Sequence, residues 1–262
     1  MQNDSSTADS DTIITETPQK RTKILSFVRR TSKLKVTDET ALKTHGKQYL
    51  LDLPRDNSPL SVQKGYKLDV NSAFGMDSEH ATEQAVSAKI VMEIGCGMGD
   101  QIIYAAENDK RTKFLGVEVY LPGIARIIKR ASEKSLTNIK LANADATDLI
   151  TAINDRQLDE VWVFFPDPWH KNKHKKRRLL TADFAKSLVP KLKPNGILRI
   201  ATDNADYAKF IRTSLDSVTQ LKPTSTDRFA GRLVTAFERK ASVRGDVVFE
   251  VEYVINTSLM SN

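Results

Sequence analysis

The residues with the clearest chemical potential are an aspartate held between two prolines and the cations that follow it. Asp167 lies in Pro166-Asp167-Pro168, directly after the apolar run 161–165. Proline restricts its own backbone and that of the preceding residue, so a carboxylate in this position has a fixed direction. It could transfer a proton, accept hydrogen bonds or stabilise positive charge. The basic residues that follow are Lys171, Lys173, Lys175, Lys176, Arg177 and Arg178.

From Lys89 onward, apolar runs of strand length alternate with amphipathic segments of helical period. The predicted strands are 90–94, 113–119, 139–143, 160–165 and 197–201. The predicted helices are 100–108, one that opens with Pro122, one capped by Thr181 and stopped at Pro194-Asn195-Gly196, and one containing Tyr207 and Leu215. This alternation predicts an α/β fold, a doubly wound and mostly parallel sheet covered on both faces.

The C-terminal part of the chain has a different pattern. Residues 247–255 alternate between apolar and polar side chains and follow the turn-like Arg244-Gly245-Asp246. An antiparallel edge strand or hairpin is expected there. Residues 36–88 contain scattered prolines and glycines and give no firm assignment.

A glycine-rich loop after the first predicted strand raises the question of a cofactor. Ligands of doubly wound sheets bind beyond the carboxyl ends of the strands. The loop has Gly95, Gly97 and Gly99, whereas a dinucleotide fingerprint needs its third glycine at position 100, which is Asp100. An aspartate at a helix N-terminus repels a pyrophosphate, and the chain has no Gly-Lys-Ser/Thr loop for a nucleoside triphosphate. A cofactor without phosphate fits better.

Three acids stand at the ends of the first three predicted strands. Glu93 lies inside the first strand end, Glu118 near the second and Asp145 just after the third. A carboxylate at the second strand end can accept hydrogen bonds from ribose hydroxyls, and one near the glycines can face a cationic amino group. S-adenosylmethionine has a ribose, an ammonium and a sulfonium, and no phosphate. These acids therefore predict an S-adenosylmethionine site.

The composition favours a polyanionic partner and an intracellular setting. The chain of 262 residues has a net charge of +7, and one basic cluster follows Asp167, so a nucleic acid is worth testing as a partner. A single cysteine excludes an internal disulfide and suits a reducing compartment. No apolar run approaches the length of a membrane span. We expect a cytoplasmic protein, without a metal and without an obligate protein partner.

Three regions are expected along the chain. Residues 1–19 are acidic and rich in Ser and Thr, which predicts a disordered leader. Residues 20–88 form a basic N-terminal arm and extension, because the stretch 20–35 has seven basic residues and no acid. Residues 89–262 form the domain that contains the sheet.

Several of these motifs together resemble the bacterial tRNA (guanine-N7)-methyltransferase family, and the similarity runs from about residue 24 to the C-terminal strands. The most specific motif is Phe164-Phe165-Pro166-Asp167-Pro168-Trp169-His170-Lys171; the glycine loop is shared by many methyltransferases. The other matching motifs are Met92–Gly99, Gly116–Val119, Asp145-Ala146, Lys175–Arg178, Ala201–Asp203 and Ser26-Phe27-Val28-Arg29-Arg30. The resemblance implies a class I methyltransferase fold, S-adenosylmethionine as cofactor and tRNA as substrate, methylated at N7 of the variable-loop guanosine 46.

The resemblance also implies roles for individual residues. The cofactor set is Glu93, Gly95, Gly97, Gly99, Glu118, Asp145 and Asp167. The guanosine set is Lys171, Asp203, Thr235, Ala236, Phe237 and Glu238. The RNA-contact set is Arg29, Arg30, Lys173, His174, Lys175, Lys176, Arg177 and Arg178. One departure stands out, because the family usually has lysine where this chain has Ala236.

The chemistry of N7 bears on the role expected for Asp167. Guanine N7 already has a free lone pair, so it needs no general base to act as a nucleophile. Asp167 is therefore expected to orient the reactants and to stabilise charge that develops on the ring. The alternatives that remain are an adenine N6 or other nucleic-acid methyltransferase, a small-molecule methyltransferase, and a non-catalytic RNA-binding protein of the same fold.

Overall fold

A computed structural model describes residues 25, 27, 33–77, 82, 87–234, 238 and 247–256. Its strands are β1 Ile90–Ile94, β2 Lys113–Val117, β3 Ile139–Ala142, β4 Leu158–Phe164, β5 Leu192–Thr202, β6 Leu221–Ser225 and β7 Phe249–Ile255. Its α-helices are α1 Val36–Tyr49, α2 Val70–Ala73, α3 Asp100–Asn108, α4 Leu121–Glu133, α5 Ala146–Ala152, α6 Ala182–Leu188 and α7 Ala205–Asp216. Two 3₁₀ segments span Asn172–Arg177 and Val189–Lys191.

The seven strands form one sheet in the order β3-β2-β1-β4-β5-β7-β6. Strands β1 to β5 are parallel, and β7 is antiparallel to both β5 and β6. The predicted α/β fold is confirmed, and its topology is that of class I methyltransferases. The chain runs outward from β1 in one direction and from β4 in the other, so the crevice of this sheet lies at the carboxyl ends of these two strands.

The helices cover both faces of the sheet because successive strand residues point to opposite sides. Val91 packs into a cluster with α1, α3 and α4, and Met92 packs into a second cluster with α5, α6 and α7. The predicted stripe on α4 is the best example of a buried helix face. Its residues Ile124, Ile127 and Ile128 have no exposed surface, and each contributes about 1.5–3 kcal/mol through burial. This packing fixes the N-terminus of α4 next to the glycine loop.

Residues 36–77, which the sequence left unassigned, complete the core. The Tyr49 hydroxyl at the end of α1 donates to the Leu136 carbonyl at 2.9 Å in a buried site. The following segment runs along the edge of the sheet, because the Leu51 amide donates to Leu141 of β3 at 2.8 Å. Farther on, the Leu60 carbonyl accepts a hydrogen bond from the Asp145 amide at 2.8 Å. The extension therefore covers the β3 edge and holds the backbone of a predicted site residue.

Several boundaries differ from the prediction, among them the ends of β3 and β4 and both ends of β5. Two differences have clear local reasons. Strand β2 ends at Val117 rather than 119, because the amides of Val119 and Tyr120 donate to the Glu118 carboxylate instead of to the sheet. The helix after Thr181 ends at Leu188, well before Pro194-Asn195-Gly196. That tripeptide lies inside β5, where the pairing with β4 is irregular and Asn195 has a φ of 61°; it forms a bulge.

The position of the C-terminal strand also corrects the prediction. Strand β7 is antiparallel, as expected, but it lies between β5 and β6 and is not the edge. The edge is β6, a short strand that contains Pro223 and exposes most of its residues. Several predictions concern residues outside the described part of the chain. These are the leader 1–19, Arg29, Arg30, Thr235, Ala236, Phe237 and the turn 244–246. Across the described part of the chain, no helix has the length and apolar character needed to cross a membrane.

Candidate active site

The glycine loop between β1 and α3 has a backbone that few other residues adopt. Gly95, Gly97 and Gly99 all have positive φ, between 55° and 82°. A Cβ on Gly99 would also collide with Ile127 of α4. The loop is closed against β2, because the Gly95 amide donates to the Val117 carbonyl at 2.8 Å. The predicted glycines therefore form a tight turn at the carboxyl end of β1.

Glu118 organises the end of β2. One carboxylate oxygen accepts from the Gly97 amide at 2.7 Å, and the other accepts from Val119 at 2.8 Å and Tyr120 at 2.9 Å. A carboxylate has about four acceptor positions, so it can still accept a hydroxyl proton from a ligand. Glu118 thus ties the glycine loop to β2 while it faces the cavity described next.

A cavity of about 260 Å³ opens at the carboxyl ends of β1, β2, β3 and β4. Its lining includes five residues that were predicted to bind the cofactor, which are Gly95, Gly97, Glu118, Asp145 and Asp167. Asp145 caps α5, and its carboxylate accepts from the Thr147 amide at 2.8 Å and hydroxyl at 2.6 Å. Its direction is therefore fixed by its own helix. The cavity combines apolar walls with carboxylates, which suits a nucleoside without phosphates.

Glu93 does not line this cavity but lies beneath it. The side chain is buried, and its Oε2 has no hydrogen-bond partner among the residues that the structure describes. Burial, together with the charges of Glu118 and Asp100, raises the pKa of Glu93 to about 8. A buried carboxylate without a partner is costly, and a cationic group in the adjoining site would relieve that cost. The ammonium of S-adenosylmethionine has the required charge.

The raised pKa of Glu93 predicts an unusual dependence of stability on pH. The cofactor-free folded protein keeps a proton on Glu93 up to about pH 8, whereas the unfolded chain releases it near 4.5. The folded state therefore binds more protons in this window, and the free energy of unfolding falls by a few kcal/mol, to order of magnitude, as pH rises through it. We expect Glu93→Gln to remove this fall.

Urea unfolding of the cofactor-free proteins at about pH 5 and about pH 8 measures the effect. Wild type should lose stability relative to Glu93→Gln as pH rises. Glu133→Gln, on the exposed face of α4, should follow wild type. Parallel pH profiles for wild type and Glu93→Gln would contradict the expectation.

The tip of β4 presents Asp167 under backbone strain. Phe165 has a φ of 51° and Trp169 a φ of 50°, a conformation that residues with side chains rarely adopt. Such strain persists only where the surrounding structure imposes it, and it is typical of functional sites. Asp167 itself is partly exposed and lines the cavity. The strained residues and the two prolines together fix the carboxylate at the rim of the crevice.

Asp203 and Lys171 lie on the side of this tip that faces β5. The Phe165 amide donates to the Ala201 carbonyl at 2.8 Å, so the ends of β4 and β5 are hydrogen-bonded. Asp203 directly follows β5, and the exposed Lys171 directly precedes the 3₁₀ segment. Their chain neighbours Asn204 and His170 are 3.3 Å apart, from Nδ2 to Nδ1. The structure thus brings Asp203 and Lys171 close to the tip, outside the cavity lining.

The basic loop divides into two groups. The guanidinium of Arg178 is buried, bonded to Asp206 and, at 3.0 Å, to the Pro168 carbonyl. Lys175 also pairs with Asp206, at 3.1 Å. Arg178 is therefore removed from the surface that a phosphate can reach, and it anchors the loop to α7. Its contact with RNA stays a prediction, and the bonds that the structure shows for it are within the protein.

The remaining cations of this loop are exposed. Lys171, Lys173 and Lys176 have no ion pair among the residues that the structure describes. Arg177 lies over the ring of Trp169, 5.0 Å from its centroid. The pKa of His174 is lowered by desolvation and by the surrounding cations, which marks the loop as strongly electropositive. A polyanion would find its free charges here.

Glu238, the described member of the guanosine set at 235–238, is already engaged. It is buried, and both carboxylate oxygens accept from Arg232, at 2.6 and 2.8 Å. Although burial opposes it, hydrogen bonds and charge from Glu238 and Glu250 raise the pKa of Arg232. No sequence pattern indicates this pairing, since its members lie six positions apart and neither lies in a regular pattern.

Two further contributors to the site escaped prediction. Phe27, in the N-terminal arm, lines the cavity although it lies 140 residues before Asp167. Gly123 allows α4 to touch the glycine loop, because a Cβ there would collide with the Gly97 carbonyl. The signal for Gly123 was available, as a glycine inside a helix costs about 1 kcal/mol and its presence there often reflects close packing.

Comparisons with known proteins show the family of the chain. Residues 87–251 match the family model described as "Putative methyltransferase". The chain is 35% identical to the tRNA (guanine-N(7)-)-methyltransferase of Cutibacterium acnes over 237 residues, which cover 88% of this chain and 82% of that protein. It is 34% identical to the enzyme of the same name from Hydrogenovibrio crunogenus, covering 91% and 95%. Among solved structures, 16S rRNA methyltransferase KamB is similar with a TM-score of 0.49 and 15% identity, covering 64% of this chain and 88% of that one. The chain belongs to the tRNA (guanine-N7)-methyltransferase family.

Proposed function

We propose that this protein transfers a methyl group from S-adenosylmethionine to N7 of guanosine 46 in the variable loop of tRNA, in the cytoplasm, with residues 89–262 as its catalytic domain. One observation carries the proposal. The cavity that holds Glu118 and Asp145 also holds Asp167, and the loop that leaves Asp167 bears the exposed cations. A nucleoside cofactor and an anionic nucleic acid can therefore meet at one carboxylate.

The cofactor role is supported by the donor set. Glu118 faces the cavity with acceptor capacity for ribose hydroxyls, and Asp145 stands at the next strand end. Glu93 adds a buried carboxylate oxygen that has no partner in the described part of the chain and is matched to a cationic amino group. S-adenosylmethionine, when bound, supplies the electrophilic methyl group on its sulfonium. The chain contributes the alignment and the charges around it.

Asp167 acts on the base in this mechanism. N7 attacks with its own lone pair, so no proton has to leave it beforehand. Guanine becomes cationic as the N–C bond forms, and a fixed carboxylate at the rim stabilises that charge. Asp167 can also accept hydrogen bonds from the N1 and N2 donors of guanine. Its rigid backbone means that it needs no reorganisation during the reaction.

The basic loop binds the tRNA backbone, and residues after the ends of β4 and β5 bind the guanosine. Lys173, His174, Lys176 and Arg177 provide phosphate contacts, and Arg29 and Arg30 of the N-terminal arm are proposed to add to them. Lys171, Asp203 and the segment 235–238 surround the guanosine. Ala236 supplies no cation, so Lys171 is the proposed cationic contact to the base or its ribose.

The proposal is tested by following labelled methyl groups. Purified protein, S-adenosylmethionine with a tritiated methyl group and bulk tRNA are incubated, and the tRNA is digested to nucleosides for mass spectrometry. The proposal expects 7-methylguanosine. Label in N6-methyladenosine would favour an adenine methyltransferase, and tRNA binding without label would favour a non-catalytic RNA-binding protein.

A further inference from the structure

Two buried side chains, Gln101 and Arg232, fix the chain around residues 231–233 and the carboxylate of Glu238. Gln101 lies in the first turn of α3, directly after the glycine loop, and is buried. Its Nε2 donates to the Gly231 carbonyl at 3.0 Å, and its Oε1 accepts from the Leu233 amide at 2.6 Å. One side chain thus satisfies the backbone on both sides of residue 232, which fixes the direction of that residue.

Arg232 is directed inward by this arrangement. Its side chain is 1% exposed and makes a two-pronged contact with Glu238. The same guanidinium donates to Glu250 of β7 at 2.5 Å, and Glu250 in turn accepts from the Phe229 amide at 2.9 Å. Paired hydrogen bonds of this kind fix both distance and angle. The Glu238 carboxylate therefore has a single orientation relative to β7.

The same guanidinium also touches the tip that bears Asp167. Its carbon lies 5.3 Å from the ring centroid of Phe165 and 5.9 Å from that of Phe164. Phe165 is the strained residue at the start of the Asp167 loop. Arg232 thus links three parts of the site, which are β7, the carboxylate of Glu238 and the end of β4.

We propose that Gln101 and Arg232 are positioning residues, in which Gln101 fixes the backbone around Arg232 and Arg232 fixes the Glu238 carboxylate beside the Asp167 loop. The inference rests on the proposed function, in which Glu238 contacts the guanosine. It adds a direct connection between the helix that follows the cofactor loop and the segment that receives the base. Neither residue is expected to touch cofactor or substrate.

The charge balance of this cluster suits the proposed product. Two carboxylates, Glu238 and Glu250, surround the single buried guanidinium of Arg232. The partly exposed Arg228 approaches Glu238 at 3.7 Å from the outer side. Arg228 is 39% exposed, whereas Arg232 and the two carboxylates are at most 10% exposed. The buried part of the cluster therefore has one carboxylate more than it has guanidinium groups, which suits a guanine ring that becomes cationic on methylation. A neutral residue at 232 would leave Glu238 without the partner that orients it.

A double-mutant cycle tests the inference. The variants are Arg232→Lys, Glu238→Gln and their combination, with Gln101→Leu as an independent second probe. Single-turnover rates should fall at least about tenfold in each single variant, and the losses in the combination should be far from additive, because the residues act through one carboxylate. The dissociation constants for S-adenosylhomocysteine and for tRNA should stay within about threefold of wild type.

Arg199→Lys is the matched control. Arg199 is a partly buried arginine that also pairs with two carboxylates, Glu160 and Glu252. It lies 4.1 Å from the centroid of an aromatic ring, Phe229, but among the described contacts it has none with Glu238. Its replacement should lower the melting temperature without coupling to Glu238→Gln. The inosine-to-guanosine rate ratio at the target adds a readout that mere destabilisation leaves unmoved. The proposal takes Glu238, beside Asp167, as an acceptor for the N2 amino group of guanine, so a misplaced Glu238 carboxylate should raise this ratio in Arg232→Lys.

The outcomes separate the inference from the proposed function. If Glu238→Gln alone methylates tRNA at the wild-type rate, the proposed guanosine contact of Glu238 is wrong. If Glu238→Gln is impaired but Arg232→Lys and Gln101→Leu are active, or if their losses add fully to that of Glu238→Gln, the positioning role is overturned while the proposed function stands.

Discussion

Replacing Asp167 by asparagine is expected to lower the single-turnover rate of methyl transfer by about 10²- to 10³-fold. Asparagine keeps the size of the side chain but removes the charge that would stabilise a cationic purine. The loop should keep its shape, because Pro166, Pro168 and the strained Phe165 remain in place. The loss should therefore appear in the chemical step and leave tRNA affinity nearly unchanged.

Rapid-quench measurement of methyl transfer, with enzyme in excess over tRNA, checks this expectation. Titration with S-adenosylhomocysteine shows separately whether Asp167 also holds the cofactor, since it lines the same cavity. Asp183→Asn, an exposed aspartate in the first turn of α6, is the control and should behave as wild type. An undiminished rate in Asp167→Asn would contradict the electrostatic role.

The second large effect concerns tRNA binding by the basic loop. Changing Lys173, Lys176 and Arg177 to alanine should weaken tRNA binding by about 10²-fold at low salt. The logarithmic slope of affinity against salt should also flatten by about 0.7 to 0.9 for each lost phosphate contact. The reason is that these three cations have no ion pair among the described residues, so their charge is available to phosphates.

Filter-binding titrations across a series of salt concentrations measure both quantities. A variant with Lys110, Lys186 and Lys222 changed to alanine removes the same formal charge from other exposed positions and should keep the wild-type slope. Equal slopes for wild type and the loop variant would show that the loop does not contact phosphate. Lys175 and Arg178 are left intact in this design, because Asp206 already binds both and their loss would loosen the loop itself.

The parallel half of the fold follows from the sequence because its signals are local. Strand β1 and helix α3 have the predicted bounds, since an apolar run and a glycine turn define them without reference to the rest of the chain. The edge strand β6 was missed because it is short, exposed and contains Pro223. Strand β7 has a clear alternation, but alternation does not say which neighbour a strand pairs with. Its insertion between β5 and β6 depends on long-range contacts.

The residues of the site also divide into those that local sequence signals identify and those that depend on long-range contacts. Glu118, Asp145 and Asp167 could be found because each stands at the end of a recognisable strand, and parallel strands bring their carboxyl ends to one edge. Arg178 could not be separated from its basic neighbours, because its burial depends on Asp206 and Tyr207 of α7. The pairing of Arg232 with Glu238 and Glu250 likewise arises only when β7 is in place. Sequence patterns identify the strand ends, and tertiary packing decides which charges remain available.

The central claim is that N7 of one guanosine in tRNA is the methyl acceptor, and a single atomic replacement tests it. In 7-deazaguanosine a C–H group replaces N7, while the N1 and N2 donors of the base are retained. A tRNA carrying 7-deazaguanosine only at position 46 should bind with the affinity of the unmodified tRNA, should inhibit its methylation competitively and should accept no methyl group. Methyl transfer to this tRNA at the normal rate would contradict the account.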